Sequence, residues 1–274
     1  MLNIGLSTCS KKIDDRLFAD CSAAGIAAVE ISPAQGHYDE IDFRAIRQLS
    51  IFHGIELWSF HLPFMPFEII DVSSLDPEIR KCSVKYDSEL IKKAAEIGIK
   101  KYVLHPSGEP ITDAEREDRM KTACDSLSTL AQTATECGGV IAVENLPRTC
   151  LGKNSAEILR LLSSDDRLRA CFDTNHLLSE PISDFIRNVG KKIVTTHISD
   201  YDFIDEKHWL PGEGKIDWPS LYRNLLSTGY DGVWMYELGF RAPASLSRAR
   251  DLIPADYARN AHEIFDGRQI TVIA

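Results

Sequence analysis

The chain has 274 residues, of which 44% are hydrophobic and 26% charged, and this composition is typical of an ordinary globular protein. Its formal net charge of −10 argues against a general affinity for nucleic acid or for an anionic membrane surface. The seven cysteines are odd in number and scattered, which indicates free thiols in a reducing compartment. No signal peptide is recognisable and no apolar run approaches about 18 residues, so we expect a cytoplasmic protein without a membrane span.

Short apolar runs alternate along the chain with longer amphipathic stretches. The runs predict strands over 2–7, 27–31, 55–60, 101–105, 140–144, 170–173, 193–197 and 232–237. The amphipathic stretches predict helices over 14–24, 42–53, 78–97, 113–137, 155–163, 183–189, 218–227 and 254–265. Four of these helices are followed by a glycine suited to a left-handed C-cap, namely Gly25, Gly98, Gly138 and Gly229.

A regular strand–helix alternation without a linker or a break in composition predicts a single (β/α)8 TIM barrel over residues 1–274. Strands that are apolar at nearly every position suit a parallel sheet covered on both faces. A doubly wound open sheet is the alternative, but no Gly-x-Gly-x-x-Gly motif follows the first strand. The apolar, proline-rich loop over 62–77 is either a lid or a partner surface.

Residues suited to bind a metal follow or end six of the eight predicted strands. They are His61, His105, Glu144, Asp173, His176, His197 and Glu237. The carboxyl ends of barrel strands converge on one mouth, so we expect these side chains to lie together. An unpaired carboxylate at the end of an apolar run is costly, and a divalent ion such as Mn²⁺, Zn²⁺, Co²⁺ or Mg²⁺ would compensate several of them at once.

The motifs around these residues resemble the xylose isomerase-like TIM-barrel superfamily, along nearly the whole chain. They are H-L-P at 61–63, L-H-P-S-G at 104–108, V-E-N at 143–145, F-D-T-N-H at 172–176, H-I-S-D at 197–200, H-W-L-P-G-E-G at 208–214 and Y-E-L at 236–238. This superfamily contains sugar-phosphate isomerases and epimerases, ketose 3-epimerases, inositol-catabolism enzymes and endonuclease IV.

The resemblance to the epimerase branch implies one divalent metal ion held by side chains from strands 5 to 8. The matching ligands in this sequence are Glu144, Asp173, His197 and Glu237. It further implies that one carboxylate, Glu144 or Glu237, removes a proton beside a ketose carbonyl to give an enediolate, and that the other returns a proton to the opposite face. His176 is then expected to hydrogen-bond a substrate oxygen.

We expect further substrate contacts from His61, His105, His208 and from Trp58, whose ring can stack on the apolar face of a sugar. His208 stands where ketose 3-epimerases carry an arginine. Asp200 and Glu213 are candidates for orienting His197 or His208. The expected substrate is a small sugar, sugar acid or cyclitol, and dimers and tetramers are common among the relatives.

Two other classes of function stay open at this point. An endonuclease IV-like phosphodiesterase would bind three zinc ions, and His61, His105, His176 and His208 stand at matching positions, with Glu206 in place of an aspartate. However, the predicted loops around the mouth carry no arginine-rich surface for DNA phosphates. A binding protein on a vestigial site is disfavoured because its buried carboxylates would be unpaired. We therefore favour sugar chemistry and do not expect a nucleic-acid partner.

Overall fold

A computed structural model of the chain describes residues 1–273. All strand pairings within the sheet are parallel, and each strand pairs with its neighbour in chain order from the first to the seventh. The strands are β1 (Asn3–Ser7), β2 (Ala28–Ile31), β3 (Glu56–His61), β4 (Lys101–Leu104), β5 (Val140–Glu144), β6 (Arg169–Asp173), β7 (Ile193–His197) and β8 (Val233–Tyr236).

One helix follows each strand. The helices are α1 (Asp15–Ala23), α2 (Phe43–His53), α3 (Pro77–Glu96), α4 (Asp113–Glu136), α5 (Ser155–Leu162), α6 (Ile182–Val189), α7 (Trp218–Ser227) and α8 (Pro254–Phe265). The predicted strands and helices are confirmed, and their ends differ from the predicted ends by one residue at most. Within residues 1–273, no helix has the combination of length and apolarity needed to cross a membrane.

The ring of strands closes on both sides of β8. On one side β8 pairs with β1. On the other, Ile198 directly after β7 pairs with Tyr236, its amide donating to the Met235 carbonyl at 2.8 Å. The fold is therefore a single (β/α)8 barrel, and the open-sheet alternative is wrong.

Every second side chain of a strand points into the barrel, because successive side chains point to opposite faces of the sheet. The inward side chains differ in character between the two ends of the strands. Apolar residues fill the lower interior, toward the amino ends of the strands, and in five strands the inward residue two positions later is acidic or histidine. These pairs are Ala28 and Glu30, Val103 and His105, Ala142 and Glu144, Cys171 and Asp173, and Met235 and Glu237. Gly5 belongs to the lower interior, where a Cβ would collide with Val233 and Met235.

Helix ends follow the local chemistry of the sequence. Six helices begin with a side chain that accepts a hydrogen bond from a backbone amide of the first turn, and the capping residues are Asp14, Asp42, Asp76, Thr112, Asn154 and Asp217. The four glycines predicted for C-caps all have positive φ. These caps fix where each helix turns back toward the next strand.

Candidate active site

The carboxyl ends of the strands open into one cavity of about 1360 Å³. The residues predicted for the site divide by depth. Those that line the cavity are His61, His105, His176, His208 and Glu237. Those that lie fully buried beneath it are Glu144, Asp173 and His197.

Four side chains from β5, β6, β7 and the end of β8 form what we call the floor cluster: Glu144, Asp173, His197 and Glu237. Each offers a donor atom, and these atoms lie within 4.8 Å of one another. The Nδ1 atom of His197 is 3.0 Å from Oε1 of Glu144 and 3.1 Å from Oε2 of Glu237. The predicted metal ligands are therefore brought together.

The donors of the floor cluster fit a divalent cation. Oδ2 of Asp173 is buried and has no hydrogen-bond partner within residues 1–273, and buried Oε2 of Glu144 has only the Nε2 atoms of His61 and His105 nearby, each at 3.3 Å. Unpaired buried carboxylate oxygens are costly, and a bound cation removes that cost. Three carboxylates and one imidazole are a donor set that Mn²⁺, Zn²⁺ or Co²⁺ accepts.

The pKa values of the carboxyl groups in the cluster are shifted in opposite directions. Burial raises the pKa of the Asp173 carboxyl to about 7, and the neighbouring Glu144 and Glu237 add to this rise. Burial also opposes ionisation of Glu237, but the adjacent His197 outweighs it and lowers the pKa of Glu237 to about 2. Such a separation is expected where carboxylates outnumber the cations that balance them.

Asn145 fixes the ends of β5 and β6 relative to each other. Its side-chain amide donates to the Asp173 carbonyl at 2.9 Å and accepts from the Asp173 amide at 2.8 Å. Its own carbonyl accepts from Nδ1 of His176 at 2.9 Å, which turns Nε2 of His176 toward Glu206. The V-E-N and F-D-T-N-H motifs thus orient one another.

Two further groups of donors lie beside the floor cluster. Nε2 of His61 and Nε2 of His105 are each 3.3 Å from Oε2 of Glu144. On the other side, Glu206 lies between two histidines, with its Oε1 at 2.8 Å from Nε2 of His208 and 3.6 Å from Nε2 of His176. The histidines expected to contact substrate therefore all stand in groups that could hold a metal ion.

The apolar loop after β3 forms part of the cavity wall. The Phe64 ring stacks on His105 with centroids 4.2 Å apart and meets His61 edge-on at 5.5 Å. Met65 and Phe67 line the same cavity. This wall gives an apolar surface beside the histidines, as a sugar-binding site requires.

The structure does not bring Trp58 to the mouth, so its predicted stacking on substrate is not supported. The Trp58 ring packs against the cluster of Ala28, Val233 and Met235 in the lower interior. It lies under the ammonium of Lys101, and its Nε1 donates to Oγ1 of Thr195 at 3.0 Å. A shift of register between β2 and β3 accounts for this placement, because Val29 pairs with Leu57 and Glu30 with Ser59. Trp58 is the residue skipped between these pairs.

Glu30 is a site residue that the sequence analysis did not identify. It is fully buried in the middle of β2, and its Oε2 lies 3.0 Å from Nε2 of His197. A signal was present, because Glu30 is a lone charge within an otherwise apolar predicted strand.

The two residues expected to orient histidines have other partners. Asp200 accepts hydrogen bonds from the amides of Gly212 and Ile216 and from Nε1 of Trp218, so it holds the loop after β7 in place. Glu213 forms an ion pair with Arg248 at 2.7 Å. Both residues shape the loop that presents His208, without touching its ring or that of His197.

Arg148 joins three loops at the rim of the cavity. Its guanidinium forms ion pairs with Glu109 after β4 and with Asp205 and Glu206 after β7. It therefore holds Glu206 from the side opposite the two histidines. From the sequence, Arg148 is expected to be a solvated charge of the loop after β5 rather than a contact to a substrate phosphate.

Comparison with protein families gives one match over most of the chain. A family model described as xylose isomerase-like TIM barrel matches residues 18–258. Among solved structures, a D-tagatose 3-epimerase-like protein superposes with a TM-score of 0.80 at 21% identity, covering 97% of this chain and 96% of that one. At this identity the superposition establishes the fold.

Two curated relatives come from different functional classes. Fructoselysine 3-epimerase from Escherichia coli O157:H7 is 29% identical over 147 residues, covering 48% of this chain and 53% of that protein. The probable endonuclease 4 of Thermoplasma acidophilum is 26% identical over 183 residues, covering 60% and 61% of the two chains. The chain thus spans between half and two thirds of the length of these relatives.

Proposed function

The chain belongs to the xylose isomerase-like TIM-barrel family, and on this premise we propose that it is a divalent-metal-dependent isomerase or epimerase of a small sugar or sugar derivative. The observation that carries the proposal is the floor cluster. Its four donors converge within 4.8 Å, and two of them are glutamates from different strands of the ring. One such base suffices to remove and return a proton at carbon, and two bases on opposite faces of one carbon suit an inversion of its configuration.

A divalent ion held by Glu144, Asp173, His197 and Glu237 would polarise a substrate carbonyl and so acidify the adjacent C–H bond. In our proposal Glu237, which lines the cavity, removes that proton to give an enediolate. For the return step Glu144 must enter protonated, and it delivers that proton from the barrel floor, so that the two carboxyl groups exchange protonation states. Because the two carboxylates reach the site from β5 and β8, they approach substrate from different sides.

His176 lies at the cavity surface with its Nδ1 bonded to the Asn145 carbonyl. In the proposal its ring donates to a substrate oxygen near the two glutamates. The apolar wall of Phe64, Met65 and Phe67 packs against the carbon face of the sugar. At about 1360 Å³ the cavity exceeds the range of about 300–1000 Å³ typical of small-molecule sites, so it has room for a sugar that carries a substituent.

The proposal is tested by metal content and by hydrogen exchange at carbon. Protein purified without chelator and then loaded with Mn²⁺ or Zn²⁺ is expected to hold about one ion per chain, and Glu237→Ala is expected to lose it. Ketoses, including N-substituted ones, are then screened for exchange of carbon-bound hydrogen in D₂O. Failure of the loaded protein to exchange hydrogen in any ketose or aldose of the screen would count against the proposal.

A second candidate function follows from the two additional donor groups. His61 and His105 with Glu144, and His176 with Glu206 and His208, each form a group that could hold a further ion, and this supports a three-metal phosphodiesterase site. Against this function, the charges that line the cavity are balanced, with six basic and six acidic side chains. They are Lys11, Lys12, Arg16, Arg148, Lys207 and Arg241, and Asp14, Asp20, Glu109, Glu206, Glu237 and Asp251. A DNA-binding face is expected to be predominantly basic.

Elemental analysis also separates these two functions. About three zinc ions per chain, together with cleavage of DNA at abasic sites, would favour the phosphodiesterase. A homodimer or homotetramer remains a prediction, and size-exclusion chromatography with light scattering would test it.

A further inference from the structure

Glu30 occupies an unusual position for a carboxylate. It lies in β2, two strands away from β8 along one arc of the barrel and three strands away from β5 along the other, and it is fully buried. Its Oε2 accepts hydrogen bonds from Oγ of Ser59 at 2.8 Å and from Nε2 of His197 at 3.0 Å. Its Oε1 has no partner within residues 1–273. A charge kept in such a place requires a compensating interaction.

The ring of His197 connects Glu30 with the floor cluster. Nε2 faces Glu30, and Nδ1 on the other side of the ring faces Glu144 and Glu237 at 3.0 and 3.1 Å. The His61 ring stacks on it with an interplanar angle of 13°. The orientation of the His197 ring is therefore determined by its contacts with three elements: β2, β3 and the floor cluster.

A neutral imidazole carries a single N–H, and a carboxylate that accepts this hydrogen bond selects the tautomer. When a cation occupies the floor cluster, the ring keeps its proton on Nε2 and donates it to Glu30, and the lone pair of Nδ1 is directed at that cation. A carboxylate behind a metal-bound histidine also makes the ring a stronger ligand. Asp200, which is close to His197 in sequence, does not supply this interaction, because its carboxylate accepts hydrogen bonds from the loop after β7.

We propose that Glu30 is a positioning residue that holds His197 with Nδ1 presented to a divalent cation in the floor cluster. The inference rests on the proposed function in so far as that function places a cation there. It adds a residue from β2 to a site otherwise built from β5 to β8. Glu30 does not itself touch the cation or the substrate.

The test compares Glu30→Ala, which removes the acceptor, with Glu30→Gln, whose amide oxygen retains an acceptor without the charge. Affinity for Zn²⁺ and Mn²⁺ is measured by competition with a chromogenic chelator. We expect Glu30→Ala to weaken binding about 10–100-fold and Glu30→Gln to have a smaller effect. The matched control is Asp87→Ala, since Asp87 is a carboxyl on α3 that is 1% exposed and has no hydrogen-bond partner within residues 1–273.

A second readout separates positioning from general loss of structure. In zinc-loaded protein labelled with ¹⁵N-histidine, the Nε2–H proton of His197 is expected at low field and in slow exchange. Its resonance is assigned by its absence in His197→Asn. Glu30→Gln, which keeps the bond, should retain this signal, and Glu30→Ala should lose it.

The outcomes are distinguishable. Wild-type affinity in both Glu30 variants, or a retained Nε2–H signal in Glu30→Ala, would overturn the positioning role while leaving the proposed function standing. If the wild-type protein binds neither ion, the floor cluster is not a metal site, and the proposed function fails together with this inference. An equal loss of affinity in Asp87→Ala would attribute the effect to burial of any carboxyl and would also overturn the inference.

Discussion

The barrel interior has two layers of opposite character that are only two residues apart along each strand. The lower layer contains Ala28, Val103, Ala142 and Met235, and these four side chains are fully buried and apolar. The upper layer contains buried carboxylates and histidines, several with unpaired atoms. The lower layer is complete in itself, whereas the upper layer has donors that need a ligand. Stability and chemistry are thus separated by depth within the same strands.

Among substitutions that test the difference between the two layers, the largest effect is expected at the two glutamates of the upper layer, Glu144 and Glu237. Glu144→Gln or Glu237→Gln keeps the size of the side chain but removes a base, so we expect turnover to fall by about 10²–10⁴-fold. Cooperative thermal unfolding should be retained. Turnover of the substrate found in the screen and the melting curve are measured together. The control is Glu56→Gln, an exposed residue at the opposite end of the barrel. Near-full activity of either glutamine variant would refute the two-base scheme.

The lower layer should show the reverse pattern. Met235→Ala leaves a cavity among fully buried side chains, so we expect the free energy of unfolding to fall by about 2–5 kcal/mol. Zinc affinity should stay at its wild-type value. Urea denaturation and chelator competition provide the two measurements, and the partly exposed Leu226→Ala is the control. A parallel loss of zinc affinity would show that the layers are coupled.

The smallest effect is expected at the rim, above both layers. Arg148 is 38% exposed, and ion pairs in such surroundings contribute at most about 1 kcal/mol to stability. Arg148→Ala removes three such pairs and should therefore lower the free energy of unfolding by about 1–2 kcal/mol, and by less at high salt. Urea denaturation at two salt concentrations measures it. A loss of several kcal/mol would instead show that the rim contributes to the stability of the fold as strongly as the lower layer does.

The sequence predicted the fold closely because its signals are local. Each strand is an apolar run, and helix ends carry caps such as Asp14 and glycines such as Gly25. The floor cluster could also be predicted from the sequence, because all four ligands end or follow a strand and the carboxyl ends of the barrel strands meet at one mouth. The structure brings these predicted ligands together, and whether they bind a metal remains a prediction.

Contacts that depend on register and on distance across the barrel could not be read from the sequence. The sequence prediction put Trp58 at the mouth. This prediction was wrong because the register shift between β2 and β3 cannot be recognised from the pattern of residues. Glu30 lies 167 residues from His197 in sequence, and only closure of the barrel brings them together. The role of Arg148 likewise depends on three loops whose approach is set by the fold.

The closing seam of the barrel runs beside the floor cluster. Between β7 and β8 the strands are joined at Ile198, whose amide donates to Met235 and whose carbonyl accepts from the Glu237 amide at 3.2 Å. His197 ends β7 and directly precedes Ile198, and Glu237 follows β8. An ion held by both residues would therefore link the two strands at this seam. Binding of the ion would then stabilise the pairing of β7 with β8, and the amides of Ile198 and Glu237 would take up deuterium more slowly.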